Sequence, residues 1–319
     1  MVLLSPSLGG LRRFEDIWLI TAEMAADATA PTFELNDGNQ IPVIALGTNK
    51  IEGEEMRLNV NDAVEVGFRH IDTAFLYNNE EDIGKGINDV IEKGLVKRED
   101  LFITTKLWYM KNGSDEVLSA LREALGRLGL EYVDLCLIHI VGFGNEDGSL
   151  SDEDIQETWK GMEEAKNQDL AKSIGVWNFD TEQVKRVIEN GKIPPAVNQI
   201  EVHPAHTREA LVSDMEELGV RVIAYSPLGF LVDRGQEDAP APHIDDPQLT
   251  EIAEKYGKTT TQVVLRYLID RGTIPCTKSS QKEHLEKNID IFDFSLTPED
   301  VAIVNKFNVD KTVFNPEDD

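Results

Sequence analysis

The sequence predicts an α/β protein, a (β/α)8 TIM barrel whose bottom is closed by an N-terminal β-hairpin. Three observations predict it. Short apolar runs alternate with amphipathic helical stretches, as happens when helices connect parallel strands. Many of these runs are continuously apolar, which is typical of a sheet covered on both faces. Eight such units fill roughly 250 residues, the usual size of this barrel.

The elements follow in chain order. Residues 33–41 predict the hairpin, with Asp37-Gly38 at its turn. The predicted strands are residues 43–48, 70–73, 101–105, 133–139, 172–177, 196–201, 220–225 and 273–275. The predicted helices are residues 55–66, 80–92, 114–128, 155–167, 181–189, 208–218 and 260–270. Segments 140–154 and 227–246 follow strand ends, where barrel enzymes carry working loops, and we expect the tail after Phe307 near the same mouth.

The chain is expected to form one domain, because no break in composition divides the eight units. We assign residues 31–319 to a single barrel domain and residues 1–30 to a mobile N-terminal extension. Charged residues such as Arg12 and Arg13 interrupt the apolar residues of the first 22 positions, which makes a poor signal-peptide core. Met24 is a second candidate start.

The charge balance excludes several classes of partner. The chain has 31 Lys and Arg against 59 Asp and Glu, a formal net charge of −28. Such a surface repels nucleic acid and anionic membranes, and no apolar run is long enough to span a bilayer. Cys136 and Cys276 lie far apart and form no CxxC pair, which indicates a reducing compartment. We expect a cytoplasmic monomer that binds neither nucleic acid nor membrane.

The main competing fold, a doubly wound dinucleotide-binding sheet, is disfavoured by its missing glycines. Gly84-Lys-Gly86 and Gly142-Phe-Gly144 both lack the third glycine of the GxGxxG turn and lie in the wrong place. Gly257-Lys-Thr259 resembles the end of a phosphate loop, but Ile252 stands where the upstream glycine belongs.

Polar residues at three successive strand ends indicate a catalytic site. Asp72 ends the second predicted strand, with Tyr77 five residues later. Lys106 ends the third and His139 the fourth. Each alone has an ordinary structural explanation. At the carboxyl end of a barrel, however, all four side chains converge at the mouth.

Carbonyl reduction gives each of these four side chains a role. Hydride delivered to a carbonyl carbon leaves an alkoxide that needs a proton, and Tyr77 is the predicted donor. A tyrosine has a pKa of about 10, which a neighbouring ammonium lowers, so Lys106 is the activator. Asp72 holds Lys106 charged and in place, and neutral His139 orients the carbonyl oxygen.

At these residues the sequence resembles the aldo-keto reductase family, in particular aldose and aldehyde reductases. Segment 67–74 (GFRHIDTA) with Tyr77, segment 105–108 (TKLW) and segment 135–139 (LCLIH) resemble the family motifs that carry these four residues. Segments 174–179, 197–204 and 224–229 match further motifs in order. The resemblance runs from about Phe33 to about Phe307. It also extends to insect members that reduce 3-dehydroecdysteroids.

The resemblance implies an NADPH site. Tyr225 would stack on the nicotinamide, and Asn178 and Gln199 would bind its carboxamide. The positions implied for the rest of the cofactor are Ser226, Leu228 and Asp233 along the pyrophosphate, Lys278 and Ser279 at the 2′-phosphate, and Asn288 at the adenine. Trp177 stands where the family has a carboxamide-binding serine.

His284 stands where an arginine usually binds the 2′-phosphate. A histidine is at most partly charged at neutral pH and lacks the bidentate fork of arginine. We therefore predict NADPH preference with weakened discrimination against NADH.

The resemblance places Asn49, Trp108 and Ile140 in the substrate pocket. Asn49 replaces a tryptophan common in the family, and Ile140 replaces its usual Trp-Pro, which predicts a roomier pocket. A small aldehyde or ketone is the predicted substrate. A steroid-type ketone, such as a 3-dehydroecdysteroid, is the alternative.

Other classes of function fit less well. A cofactor-binding regulatory or structural subunit without significant turnover is an alternative on the same fold. A barrel hydrolase lacks a carboxylate pair at adjacent strand ends and leaves Lys106 without a role. We predict no metal site, because His203 and His206 have no third ligand near them in the sequence.

Overall fold

The computed structural model describes residues 30–108, 114–139, 152–233, 235 and 238–313. In that part of the chain, eight parallel strands close into a barrel, preceded by an antiparallel hairpin. The hairpin strands are β1 (Thr32–Glu34) and β2 (Gln40–Pro42). The barrel strands are β3 (Ala45–Gly47), β4 (His70–Asp72), β5 (Phe102–Trp108), β6 (Val133–His139), β7 (Ala171–Trp177), β8 (Val197–Glu201), β9 (Arg221–Tyr225) and β10 (Ile274–Thr277). They neighbour one another in chain order, and β10 pairs with β3 to close the ring. The predicted fold class is confirmed.

The helices cover the outside of the barrel. They are α1 (Gly53–Glu65), α2 (Glu80–Glu92), α3 (Ser114–Leu128), α4 (Asp152–Asn167), α5 (Thr181–Asn190), α6 (Glu209–Glu217), α7 (Pro247–Tyr256), α8 (Thr260–Asp270), α9 (Lys282–Ile289) and α10 (Pro298–Asn305). The sequence analysis missed α7, α9 and α10. Two of them carried readable start signals: Asp246 caps α7 before Pro247, and Thr297 caps α10 before Pro298.

The side chains of alternate residues along each strand fill the barrel interior. Leu135 and Leu137 of β6 share one buried cluster with Ile223 of β9 and Ile274 of β10. Successive strand residues point to opposite faces, so every second residue on each strand faces inward. The residues that continue this alternation to the carboxyl ends of the strands therefore face the mouth of the barrel.

The hairpin closes the opposite end. Asn36 Nδ2 donates to Pro195 O at 2.8 Å, just before β8 begins. Asn39 Nδ2 donates to Lys172 O at 3.1 Å, near the start of β7. Leu35 and Ile41 join the interior cluster, and Gly38 turns the hairpin with a φ of +86°. The predicted hairpin and its position at the barrel bottom are confirmed.

Helix packing explains the two glycines of the rejected dinucleotide motif. A Cβ on Gly84 would lie 2.4 Å from Leu128 O, and one on Gly86 would lie 2.9 Å from Arg57 O. These distances are shorter than any side chain tolerates, so α2 meets α3 and α1 through bare backbone. The two glycines therefore allow close packing of the helices.

Several predictions lie partly or wholly outside the described residues. They concern the N-terminal extension apart from Ala30, Ile140 with the loop up to residue 151, and residues 314–319 of the tail. Among the helices that are described, none has the length and apolar character needed to cross a membrane.

Candidate active site

Strand alternation brings Asp72, Lys106 and His139 into the barrel mouth. On β6, His139 follows the inward-facing Leu135 and Leu137 with the same parity, and it ends its strand as predicted. Lys106 does not end its strand, because β5 continues to Trp108, which pairs with His139 of β6. The predicted strand, residues 101–105, stops three residues before the observed end of β5, although Lys106 still faces inward.

A buried ion pair forms the centre of the site. Lys106 is fully buried, and its Nζ binds the Asp72 carboxylate and donates to Thr73 O at 3.0 Å. The second Asp72 oxygen accepts from Gln199 Nε2 at 2.7 Å. Burial lowers the pKa of Lys106, but Asp72 and then Tyr77 raise it further, so its pKa lies above the ordinary value. Lys106 is therefore a fixed ammonium.

Tyr77 is held in a rigid turn. It ends a 3₁₀ turn, Phe75–Tyr77, and the next residue, Asn78, has a left-handed φ of +52°. Asn79 is buried, and its Nδ2 donates to Thr48 O at 2.8 Å and to Ile51 O at 2.9 Å. These bonds fasten the turn to the loop after β3. They place the Tyr77 hydroxyl 3.4 Å from Lys106 Nζ.

The acidity of Tyr77 differs from the sequence-based expectation. Burial raises the pKa of its phenol, and this outweighs the lowering by the neighbouring Lys106. The net pKa lies above its ordinary value of 10.0, so the predicted net lowering is wrong. Tyr77 is consequently protonated at neutral pH, the form that a proton donor requires.

His139 lies beside Tyr77 as a neutral imidazole. The two ring centroids are 6.0 Å apart, at an interplanar angle of 87°. Burial, and next the positive charge of Lys106, lowers the pKa of His139 to about 3. Its Nδ1 is buried and has no hydrogen-bond partner among the residues that the structure describes. A neutral ring can donate one N–H to a carbonyl oxygen, as the sequence analysis expects of it.

We expect the pH profile of kcat/KM to lack an inflection near the ordinary histidine value of 6.5, because His139 has a pKa of about 3. The same shift affects stability. As pH falls from 6.5 toward about 3, only the unfolded chain takes up the proton, so the free energy of unfolding falls. Urea unfolding at several pH values between 6.5 and about 3 should show a smaller fall in the free energy of unfolding for His139→Asn than for the wild type. An inflection near 6.5 that disappears in His139→Asn would contradict this.

The residues expected at the nicotinamide end lie together, but they bind one another. Trp177 stacks on Tyr225 with centroids 5.5 Å apart and an interplanar angle of 16°. Asn178 has a left-handed φ of +57°, and its Nδ2 donates to the Tyr225 hydroxyl at 3.1 Å. Gln199 donates to Asp72, a pairing that the sequence analysis did not predict.

The residues expected at the phosphates and adenine extend from the end of β9 to α9. Ser226 has a left-handed φ of +48°, Leu228 is half-buried, and exposed Asp233 accepts from Gly235 N at 2.8 Å. Lys278 is exposed after β10. The Oγ of Ser279 lies 3.4 Å from His284 Nδ1, which brings these two predicted phosphate residues together.

Two more residues shape this half of the site. Asn288 is buried on α9, and its Nδ2 donates to Thr277 Oγ1 at 3.3 Å. Asn59 of α1, which sequence reasoning missed, donates from Nδ2 to Ser279 O at 2.7 Å. This bond holds the loop between β10 and α9 in place. At the substrate end, Asn49 and Trp108 are half-buried.

Sequence reasoning also missed Cys276, although strand parity pointed to it. It lies two residues after the inward-facing Ile274 and packs against the interior cluster. Burial, and next the charge of Asp72, raises the pKa of its thiol well above the ordinary value. The thiol therefore stays protonated beside the ion pair.

The C-terminal tail is fastened at the same end of the barrel. The backbone N–H groups of Val309 and Lys311 donate to Ala205 O at 3.2 and 3.1 Å. Val313 N donates to the carboxylate of Glu201, the last residue of β8, which also binds His203 Nε2 at 2.9 Å. The tail therefore lies against the mouth as far as Val313.

Comparison with known proteins points to one family. The sequence profile of the Aldo/keto reductase family matches residues 43–309. The chain is 50% identical over 295 residues to aldo-keto reductase AKR2E4 of Bombyx mori, covering 91% of this chain and 96% of that protein. It is 37% identical over 292 residues to aldo-keto reductase family 1 member C15 of Rattus norvegicus, covering 86% and 90%.

Solved structures agree with these sequence matches. The crystal structure of Bombyx mori AKR2E4 in complex with NADP superposes with a TM-score of 0.87 at 49% identity, covering 91% of this chain and 97% of that one. The crystal structure of aldo-keto reductase AKR2E5 complexed with NADPH superposes with a TM-score of 0.86 at 40% identity, covering 90% of each chain.

Proposed function

This chain belongs to the aldo/keto reductase family, and we propose that it reduces an aldehyde or ketone to an alcohol with NADPH, using Tyr77 as the proton donor. The observation that carries the proposal is the contact between Tyr77 and the buried Lys106–Asp72 pair, with neutral His139 alongside. Relatives solved with NADP and NADPH support the choice of cofactor.

The residues of the mouth fit such a cofactor. Tyr225 has an aromatic ring suited to stacking, on which Trp177 now stacks, and Asn178 beside it has an amide. Exposed Lys278 and the Ser279 hydroxyl suit a phosphate. Lys278 makes this a local positive site in a chain of net charge −28. When bound, NADPH supplies the hydride.

The protein's own groups do the rest. The Tyr77 hydroxyl gives its proton to the carbonyl oxygen as negative charge develops there. Lys106 stabilises the resulting phenolate, and Asp72 keeps the ammonium in position. The neutral imidazole of His139 donates a hydrogen bond that orients the carbonyl oxygen.

The first experiment follows oxidation of NADPH with a small aldehyde and with 3-dehydroecdysone. Turnover of either supports the reductase. Binding of NADPH without any turnover favours the regulatory or structural subunit, and absence of cofactor binding contradicts the proposal.

A steroid-type ketone is the second candidate substrate, supported by Asn49 and by the exposed Phe75 and Leu76 next to Tyr77. A kcat/KM for 3-dehydroecdysone no higher than for the aldehyde would remove it.

Cofactor preference tests the position of His284. We propose that the wild type prefers NADPH but discriminates only weakly against NADH in kcat/KM, because an exposed histidine beside Ser279 binds a 2′-phosphate weakly. His284→Arg should raise kcat/KM for NADPH about tenfold, a gain of about 1.4 kcal/mol, and leave NADH unchanged. A wild-type preference for NADPH beyond roughly a thousandfold would contradict this.

We further propose a cytoplasmic monomer, on the basis of the high negative charge and the two free thiols. Sedimentation velocity of the purified protein tests the oligomeric state. A stable dimer at micromolar concentration would contradict it.

A further inference from the structure

Trp177 occupies a position that the proposed reaction does not explain. It is the last residue of β7 and, although it lies at the open end of the barrel, only 8% of it is exposed. Its indole stacks on Tyr225, with centroids 5.5 Å apart. It also meets the His139 ring, with centroids 4.9 Å apart and planes at 90°. The indole thus contacts both the predicted stacking partner of the nicotinamide and the predicted partner of the carbonyl.

The spacing leaves no room for a further ring on this face of Tyr225. Carbon atoms in contact are about 3.5–4.0 Å apart, so a flat ring between two aromatic faces needs planes about 7 Å apart. The centroids of Trp177 and Tyr225 are closer than that. A planar ligand that stacks on this face must therefore take the place of the indole.

The proposed reaction also requires the nicotinamide on the face of Tyr225 that Trp177 covers. A hydride acceptor must lie within reach of Tyr77 and His139, whose rings are 6.0 Å apart. Trp177 contacts both His139 and Tyr225. The indole therefore lies beside His139, whose ring in turn faces Tyr77, the proposed proton donor.

We propose that in the cofactor-free protein the Trp177 indole occupies the nicotinamide position on Tyr225, and that the nicotinamide half of the cofactor binds only by displacing it. This inference rests on the proposed function, because it assumes that a nicotinamide cofactor enters this mouth. Trp177 is then a specificity-determining residue. It opposes binding of the nicotinamide half and leaves the adenosine half unaffected.

The neighbouring amides support this closed arrangement. Asn178 is bonded to the Tyr225 hydroxyl, and Gln199 is bonded to Asp72, so both side chains expected at the carboxamide already have protein partners. The residues expected at the 2′-phosphate, Lys278, Ser279 and His284, lie elsewhere, after β10 and on α9. Ser279 is held there by Asn59 and needs no change in Trp177.

The test compares two ligands in one protein by calorimetry: NADP⁺, which contains the nicotinamide, and adenosine 2′,5′-bisphosphate, which lacks it. Trp177→Ala removes the indole without adding a hydroxyl that might bind the carboxamide. We expect NADP⁺ to bind this variant about threefold to tenfold more tightly than the wild type, the range of one aromatic pair. The Kd of the bisphosphate should stay within about twofold.

The outcomes separate the two proposals. If NADP⁺ binds the variant equally or less tightly while the bisphosphate is unchanged, the displacement of Trp177 is refuted and the reductase stands. If neither ligand binds the wild type, the proposed function itself fails.

A second variant covers the case in which Trp177→Ala does not fold. Trp177→Phe keeps an aromatic ring, and the difference between wild-type and variant fluorescence isolates the Trp177 signal. Acrylamide should quench that signal more strongly after NADP⁺ is added, because the displaced indole becomes exposed. Adenosine 2′,5′-bisphosphate should cause no change. Equal quenching with and without NADP⁺ would overturn the proposal.

Discussion

Tyr77→Phe is expected to lower kcat/KM for carbonyl reduction roughly 10²–10⁴-fold, the contribution of a positioned general acid. The change removes one hydroxyl, which lies 3.4 Å from Lys106 Nζ, and keeps the ring that packs near His139. The loss should appear in kcat, because the proton is transferred in the reacting complex. Steady-state kinetics with NADPH and a small aldehyde measure it.

Binding measurements separate catalysis from damage to the site. The Kd of NADPH should stay within about twofold in Tyr77→Phe, because the hydroxyl serves the carbonyl group. Tyr132→Phe is a matched control: the same hydroxyl is removed from a half-buried ring that packs against Arg98 and Lys172, just before β6 begins. Full activity in Tyr77→Phe, or an equal loss in Tyr132→Phe, would contradict the proton-donor role.

Lys106→Met is expected to abolish reduction and to destabilise the protein. The substitution leaves the Asp72 carboxylate, which is 2% exposed, without its counter-ion. Breaking a buried pair in this way costs about 3–5 kcal/mol of the free energy of unfolding. Urea unfolding measures the stability, and the rate of NADPH oxidation measures the activity.

A double variant separates the two effects. Asp72→Asn combined with Lys106→Met removes both charges, so most of the lost stability should return. Activity should not return, because the ammonium beside Tyr77 is still missing. Lys85→Met removes an exposed lysine that pairs with Asp82, and the free energy of unfolding of this variant should stay close to that of the wild type. A double variant that regains reduction would show that the ion pair serves folding alone.

The sequence predicted much of the fold because its signals are local and periodic. Amphipathic spacing and apolar runs indicated the order of strands and helices. The alternation within residues 133–139 is enough to predict that His139 on β6 faces the barrel interior. Three helices, α7, α9 and α10, were missed although Asp246 and Thr297 marked two of their starts. The predicted end of β5 was too early. The strand extends to Trp108 because it pairs with β6, and this pairing joins segments that are distant in the sequence.

By itself, then, the sequence determined the barrel, the candidate residues at its strand ends and the family resemblance. Tertiary structure decided how those residues meet. Gln199 donates to Asp72 across 127 positions of chain, Trp177 covers Tyr225, and burial raises the pKa of Tyr77 above the value that its lysine neighbour alone would give. Side-chain contacts and desolvation depend on which distant segments pack together, and no local pattern of residues records those distances.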